Sequence, residues 1–203
     1  MLNKLKWILF GVLAIAIGLY PVVYLLTDEP VGILTSKSAE LLSNKFWRIG
    51  FYAHIIPGGI ALLTGWTQFS PRIRAKRLAL HRLLGKIYVG AALIGGVAGF
   101  SIAWTATGGI IAKTGFACLG VLWVISTIGA YRFIRRGETD RHEKWMIYSY
   151  ALCFAAVTLR LWMPVLVTLM GDFIPAYRLV AWLSWVPNLI FAFMYTQRMD
   201  GKR

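Results

Sequence analysis

Three histidines and one arginine carry most of the chemistry this chain can offer. His81 stands in the run Leu80-His81-Arg82, and His142 in Arg141-His142-Glu143-Lys144. Each is expected at the cytoplasmic end of its own apolar helix. Imidazoles supplied by two helices at one depth are what bis-histidine haem ligation requires, because the axial nitrogens must face each other across the porphyrin. Interfacial histidines touching lipid headgroups would carry the same pattern, so both readings stay open. Arg160 lies inside an apolar run, about 20 Å past its start at roughly 1.5 Å per residue. A cation there costs about 2.5–3.5 kcal/mol even on the lenient insertion scale. The chain's acidic residues all lie in or beside loops. Arg160 therefore reads either as a side chain snorkelling along backbone carbonyls or as a site for a carboxylate, a phosphate or a haem propionate. His54, Gln68 and Asn188 are the remaining polar candidates for ligand binding, and their apolar surroundings single them out.

Residues of these types need elements that hold them. The 203 residues are 58% hydrophobic, above the roughly 45–50% of soluble domains. Six stretches reach the ~20 residues that cross a bilayer: Trp7–Thr27, Gly50–Phe69, Lys86–Thr107, Thr114–Ile134, Trp145–Met170 and Arg178–Gln197. Hardly any chain remains for a soluble domain. The expected fold is all-α: one polytopic domain of six transmembrane helices. The first stretch follows Lys4 and Lys6 as a signal peptide would. It is too long for a typical signal core and lacks a small-x-small cleavage site, so it reads as a retained span.

The formal net charge of +14 is distributed, not random. With both termini cytoplasmic, sixteen of the 22 lysines and arginines fall in inner segments and five in outer ones, with Arg160 in the membrane. That is the positive-inside pattern. It sets an even number of spans and an N-in, C-in topology, and it accounts for the charge without nucleic acid. The two cysteines, Cys118 and Cys153, lie within predicted helices, where free cysteine behaves as a small hydrophobe. No Cys-x-x-Cys pair, zincin motif, nucleophile elbow or intramembrane carboxylate pair is present.

Small and polar residues recur at helical spacing. Helix two carries His54, Gly58, Ala61, Gly65 and Gln68; helix three carries His81, Gly85, Tyr88, Ala92, Gly95 and Gly99. Helix five, read as continuous, places His142 and Arg160 eighteen residues apart on one face. Close helix packing explains the glycines, as Gly95-x-x-x-Gly99 illustrates; room for a flat cofactor is the sharper alternative. Pro57, Pro164 and Pro187 each release the carbonyl four residues earlier. In the long outer loop, Ser38 to Trp47 is expected to form a short interfacial helix with Ser38 as N-cap and Glu40 in its first turn.

The elements His54-x3-Gly58-x6-Gly65-x2-Gln68, Leu80-His81-Arg82-x2-Gly85-x2-Tyr88, Arg141-His142-x2-Trp145-Met146, Ala155-Ala156-Val157-Thr158-Leu159-Arg160 and Trp185-x2-Asn188 resemble a bacterial family of predicted membrane proteins, domain of unknown function 2306. The resemblance covers about two-thirds of the chain. It implies a multi-helix bacterial inner-membrane protein and brings no activity with it. The chain is more loosely similar to cytochrome b561-type bundles, which hold haems between helices through histidine pairs. Three histidines instead of four limit that likeness to one bis-histidine haem.

Electron transfer through one b-type haem, with His81 and His142 as axial ligands, is therefore the first functional expectation. Arg160 and His54 would then serve a second polar site, for quinone or a periplasmic electron partner. The alternatives are a small transporter or lipid-ligand binding protein centred on Arg160, His54 and Asn188, and a non-catalytic membrane subunit that docks a partner through its basic loops.

Overall fold

The computed structural model describes residues 2–27 and 29–200. Its elements among these residues are helical. Helix α1 (Leu2–Leu19) continues as a 3₁₀ turn (Tyr20–Leu25). After the loop come a 3₁₀ turn (Gly32–Ser36), α2 (Ala39–Ser43) and α3 (Lys45–Gly65), which ends in a 3₁₀ turn (Trp66–Phe69). Then follow α4 (Pro71–Lys76), α5 (Leu78–Ala103), α6 (Ile110–Arg135), α7 (Thr139–Cys153), α8 (Ala155–Met170), α9 (Phe173–Leu183) and α10 (Val186–Asp200). Six stretches are long and apolar enough to cross a membrane: Lys4–Leu25, Lys45–Phe69, Leu78–Ala103, Ile110–Arg135, Thr139–Met170 and Phe173–Met199. Large apolar side chains point outward along them, Leu169 at 75% and Phe191 at 70% exposure among them. Such a surface suits a solvent of acyl chains. The protein is an integral membrane protein.

The helices outrun the apolar windows. Span three begins at Leu78, not at Lys86, and the polar stretch before it holds α4. Hydropathy marks where lipid contacts the chain, whereas backbone hydrogen bonding continues into the polar end. Ser38 does cap a helix, its hydroxyl accepting from the Leu41 amide at 3.3 Å, and Glu40 occupies the first turn. That helix is only α2. Asn44 then accepts from the Phe46 and Trp47 amides and starts α3, so Phe46 and Trp47 belong to span two. The caps explain the division: each short polar side chain takes orphan amides and restarts the helix.

The chain divides into two compact units, residues 1–95 and 96–203. In the first, α1 packs along α3. Their backbones meet at Gly18 and Gly59; a Cβ on Gly59 would fall on the Gly18 carbonyl oxygen, and one on Gly18 would lie 2.7 Å from Leu63 Cγ. The glycine stripe read from the sequence contains neither residue, and its Gly58 faces open space. Ala14, Phe51, Ala61 and Leu62 fill the buried side.

In the second unit α6 and α7 form a closely packed hairpin, α8 packs on α9, α9 on α6, and α7 on α10. The close approach to α6 is made by Gly96, whose carbonyl oxygen would lie 3.1 Å from a Cβ on Gly120. Spans five and six are both interrupted. Span five breaks at Phe154, with a 3₁₀ bond from the Val157 amide to the Phe154 carbonyl. Span six breaks at Ser184 and Trp185, with a 3₁₀ bond from the Trp185 amide to the Trp182 carbonyl. Pro187 stands just after that break. Pro164 causes none, since α8 runs through it to Met170. A continuous fifth helix carrying His142 and Arg160 on one face is therefore corrected: the register between them passes through the turn at Phe154.

Candidate functional site

His142 sits in the first turns of α7, half-buried, with Nδ1 2.8 Å from the Ala130 carbonyl oxygen on α6. A carbonyl only accepts, so Nδ1 carries the proton, and in the neutral ring Nε2 is the lone-pair nitrogen. The neighbouring residues set this arrangement. Trp145, one turn on, lies against Gly129, where any Cβ would collide with the indole ring. Phe133 flanks Trp145 with ring centres 5.7 Å apart. Further along the hairpin, Thr127 and Ser149 share a 2.7 Å hydrogen bond in a fully buried position, and Thr127 also donates to the Trp123 carbonyl at 2.7 Å. Each hydroxyl thereby satisfies its hydrogen bonding without water.

His54 repeats the same anchorage within the first unit. Its Nδ1 lies 2.8 Å from the Gly95 carbonyl oxygen. Gln68 also belongs to the first unit, in the 3₁₀ turn after α3. Its Nε2 donates to Thr67 Oγ1 at 3.3 Å, and a Cβ on Gly85 would lie 3.3 Å from its Oε1. The pairing of Gln68 with Gly85 joins two residues that the sequence reading placed in separate stripes. His81 is half-buried, in the second turn of α5.

Asn188 is a joint between the two interrupted spans. Its Nδ2 lies 2.8 Å from Thr158 Oγ1, 3.0 Å from the Ser184 carbonyl and 3.3 Å from the Ala151 carbonyl. An unbroken helix would offer the Ala151 carbonyl to residue 155 and the Ser184 carbonyl to the amide of residue 188. Trp185 acts similarly, its Nε1 donating to the Ala181 carbonyl at 2.9 Å. Side-chain donors thus satisfy carbonyls released at both breaks. Thr158 and Ser184 were not singled out in the sequence. A hydroxyl in an apolar span is a weak signal, because it usually bonds its own helix.

Arg160 is half-buried on α8 and donates from Nη1 to the Ala156 carbonyl at 2.9 Å, one turn back. Thr158, the partner of Asn188, is two residues away, which is about 200° around the helix. Arg160 therefore leaves α8 on the side opposite the Asn188 joint.

Among the described residues no cluster of three or more metal-ligating side chains occurs. Residues 51–196 match the family model described as predicted membrane protein, DUF2306. No curated protein sequence and no solved structure matches the chain. The match spans well over half of the 203 residues and takes in every histidine, Arg160 and Asn188; the chain belongs to this family of membrane proteins.

Proposed function

We propose that this protein is a membrane electron carrier holding one b-type haem, with His142 as an axial ligand and His81, from the sequence reading, as the second. The observation that carries the reading is the His142 bond to the Ala130 carbonyl. Histidine ligands of metals characteristically donate their other ring N–H to a carbonyl or carboxylate, which fixes the tautomer and the ring plane. When bound, the haem supplies a one-electron couple. The chain's own contribution is to engage Nδ1 with the Ala130 carbonyl, leaving Nε2 for the iron, and to hold the ring between α6 and α7. In this reading quinone is the membrane-soluble redox partner, and the protein lies in a bacterial cytoplasmic membrane with both termini inside, an orientation supported by the distribution of its lysines and arginines.

The test is an absorbance spectrum of protein purified from haem-supplemented cells, oxidised and then reduced with dithionite. A Soret band with sharpened reduced α and β bands, lost in both His142→Ala and His81→Ala, is expected. A flat visible spectrum sinks the reading. Retention of full haem by His142→Ala removes His142 from it.

A second reading is favoured by the broken spans. Transporters bind substrate where helices are interrupted and backbone groups are released. An anionic ligand taken up by Arg160 would give an Arg160→Leu variant that expresses normally and loses ligand, with the spectrum featureless throughout.

A further inference from the structure

The two breaks in spans five and six belong to one mechanical unit. Each lies where an antiparallel partner is also broken, and the halves pair accordingly: α7 with α10 on one side, α8 with α9 on the other. The α8–α9 hairpin turns tightly at Gly171, a left-handed residue with φ 69°, and Asp172 caps α9 by accepting from the Ile174 amide at 3.1 Å. Its second helix, α9, is tied to the start of α6 by two side chains, Trp182 near the break at Ser184 and Arg178 about one turn nearer the tip at Gly171. Arg178 Nε donates to the Gly108 carbonyl at 2.7 Å, and Trp182 Nε1 donates to the Ile111 carbonyl at 3.0 Å.

We propose that residues 155–183 form a hinged flap, with the breaks as its axis, Asn188 as its pin and Arg178 and Trp182 as its latch. The pin is built to exchange partners. The Asn188 amide has two hydrogens and three acceptors within reach, one before the span-five break, one after it and one in its own span. Rotation of α8 against α7 trades Thr158, on the flap, for a closer bond to Ala151, before the break, without stranding the amide. The closed arrangement also leaves the hydroxyl of Ser184, at the second break, fully buried without a hydrogen-bond partner. That is a standing penalty on the closed state, which movement at the hinge can relieve. Neither latch bond is shielded, since both are exposed. Arg160 rides on the flap, so its movement carries the intramembrane cation with it. None of this depends on haem.

The experiment is a pair of spin-label distances in the full chain, in lipid nanodiscs, on a Cys118→Ser, Cys153→Ala background. Labels at positions 110 and 169 report the flap against α6; labels at 131 and 195 report the other half. Ile110, Leu169, Tyr131 and Tyr195 are all exposed. The expected result is a main short distance for the flap pair and a minor longer one. Arg178→Gln should raise the longer population about threefold, the factor corresponding to one interhelical hydrogen bond of average worth. Asn188→Leu should broaden the flap distance, and the 131–195 distance should stay fixed in both variants. A single narrow flap distance unchanged by Arg178→Gln overturns the proposal. So does a parallel shift of both pairs, which would mean that the whole bundle had loosened. If Asn188→Leu does not fold, Arg178→Gln and Trp182→Phe at the exposed latch still decide.

Discussion

A histidine with Nδ1 bound to a carbonyl has its other nitrogen, Nε2, left for further chemistry. His142 is held there by a contact that costs a backbone carbonyl nothing, since such an oxygen has two lone pairs. The same side chain zips α7 to α6, and the two roles separate experimentally. Gly129→Ala keeps the imidazole and displaces Trp145, whose ring occupies the Cβ position. We expect it to shift the reduced α band or lower haem occupancy while His142 is intact, read from the same spectra. Asn188 presents the complementary case of a residue whose value lies in its geometry. Asn188→Ala leaves Thr158 and two carbonyls short of a donor. Interhelical hydrogen bonds in membranes average about 0.6 kcal/mol with a maximum near 1.7. The variant should therefore melt a few degrees lower in detergent, and Asn188→Asp should not restore it, because a carboxylate has no N–H to give.

Elements in the first unit are positioned by backbone contact. With water absent, helices associate through packing, and a missing Cβ sets how close they come. Gly58 and Gly59 are adjacent in sequence and opposite in consequence. Gly59→Ala puts a methyl group on the Gly18 carbonyl and should destabilise the protein by roughly 1–3 kcal/mol, the usual cost of overpacking. Gly58→Ala meets nothing and should be neutral or gain up to about 1 kcal/mol from helix propensity. A detergent melting curve on each variant distinguishes them, and equal melting points would contradict the packing described. Spans five and six follow a different principle. Their interruptions persist because Asn188 and Trp185 satisfy the released carbonyls, which is what permits irregular backbone at membrane depth.

For the whole molecule, six spans and the distribution of cations make one prediction. Reporters fused after Arg77 and Arg136 should read cytoplasmic, and one inserted near Ser38 should read external. The reverse pattern would invert the protein in the bilayer and place the His142 end outside. The apolar exterior and the basic segments need no further partner for their explanation, because bilayer core and anionic headgroups account for both.

The sequence by itself determined that this is a six-span helical membrane protein, and the family match follows motifs visible in it. Length and hydropathy suffice for that, since a bilayer imposes one-dimensional constraints that a linear chain displays directly. It also pointed to His142, His54 and Asn188, because a polar group in an apolar run must find a partner. What the partners are, only the tertiary structure decided. Ala130 and Gly95 offer backbone carbonyls, which every residue has and no composition marks. Within the stripe, Ala61 and Gly65 are buried while Gly58 meets nothing, and the adjacent Gly59 makes the close approach to α1, because periodicity near 3.6 cannot separate adjacent glycines in so small-residue-rich a helix. The break at Phe154 has no proline to announce it. It exists because Asn188, thirty-four positions later, takes the Ala151 carbonyl that lies at that break, and such a bargain between distant residues is settled only when the helices meet.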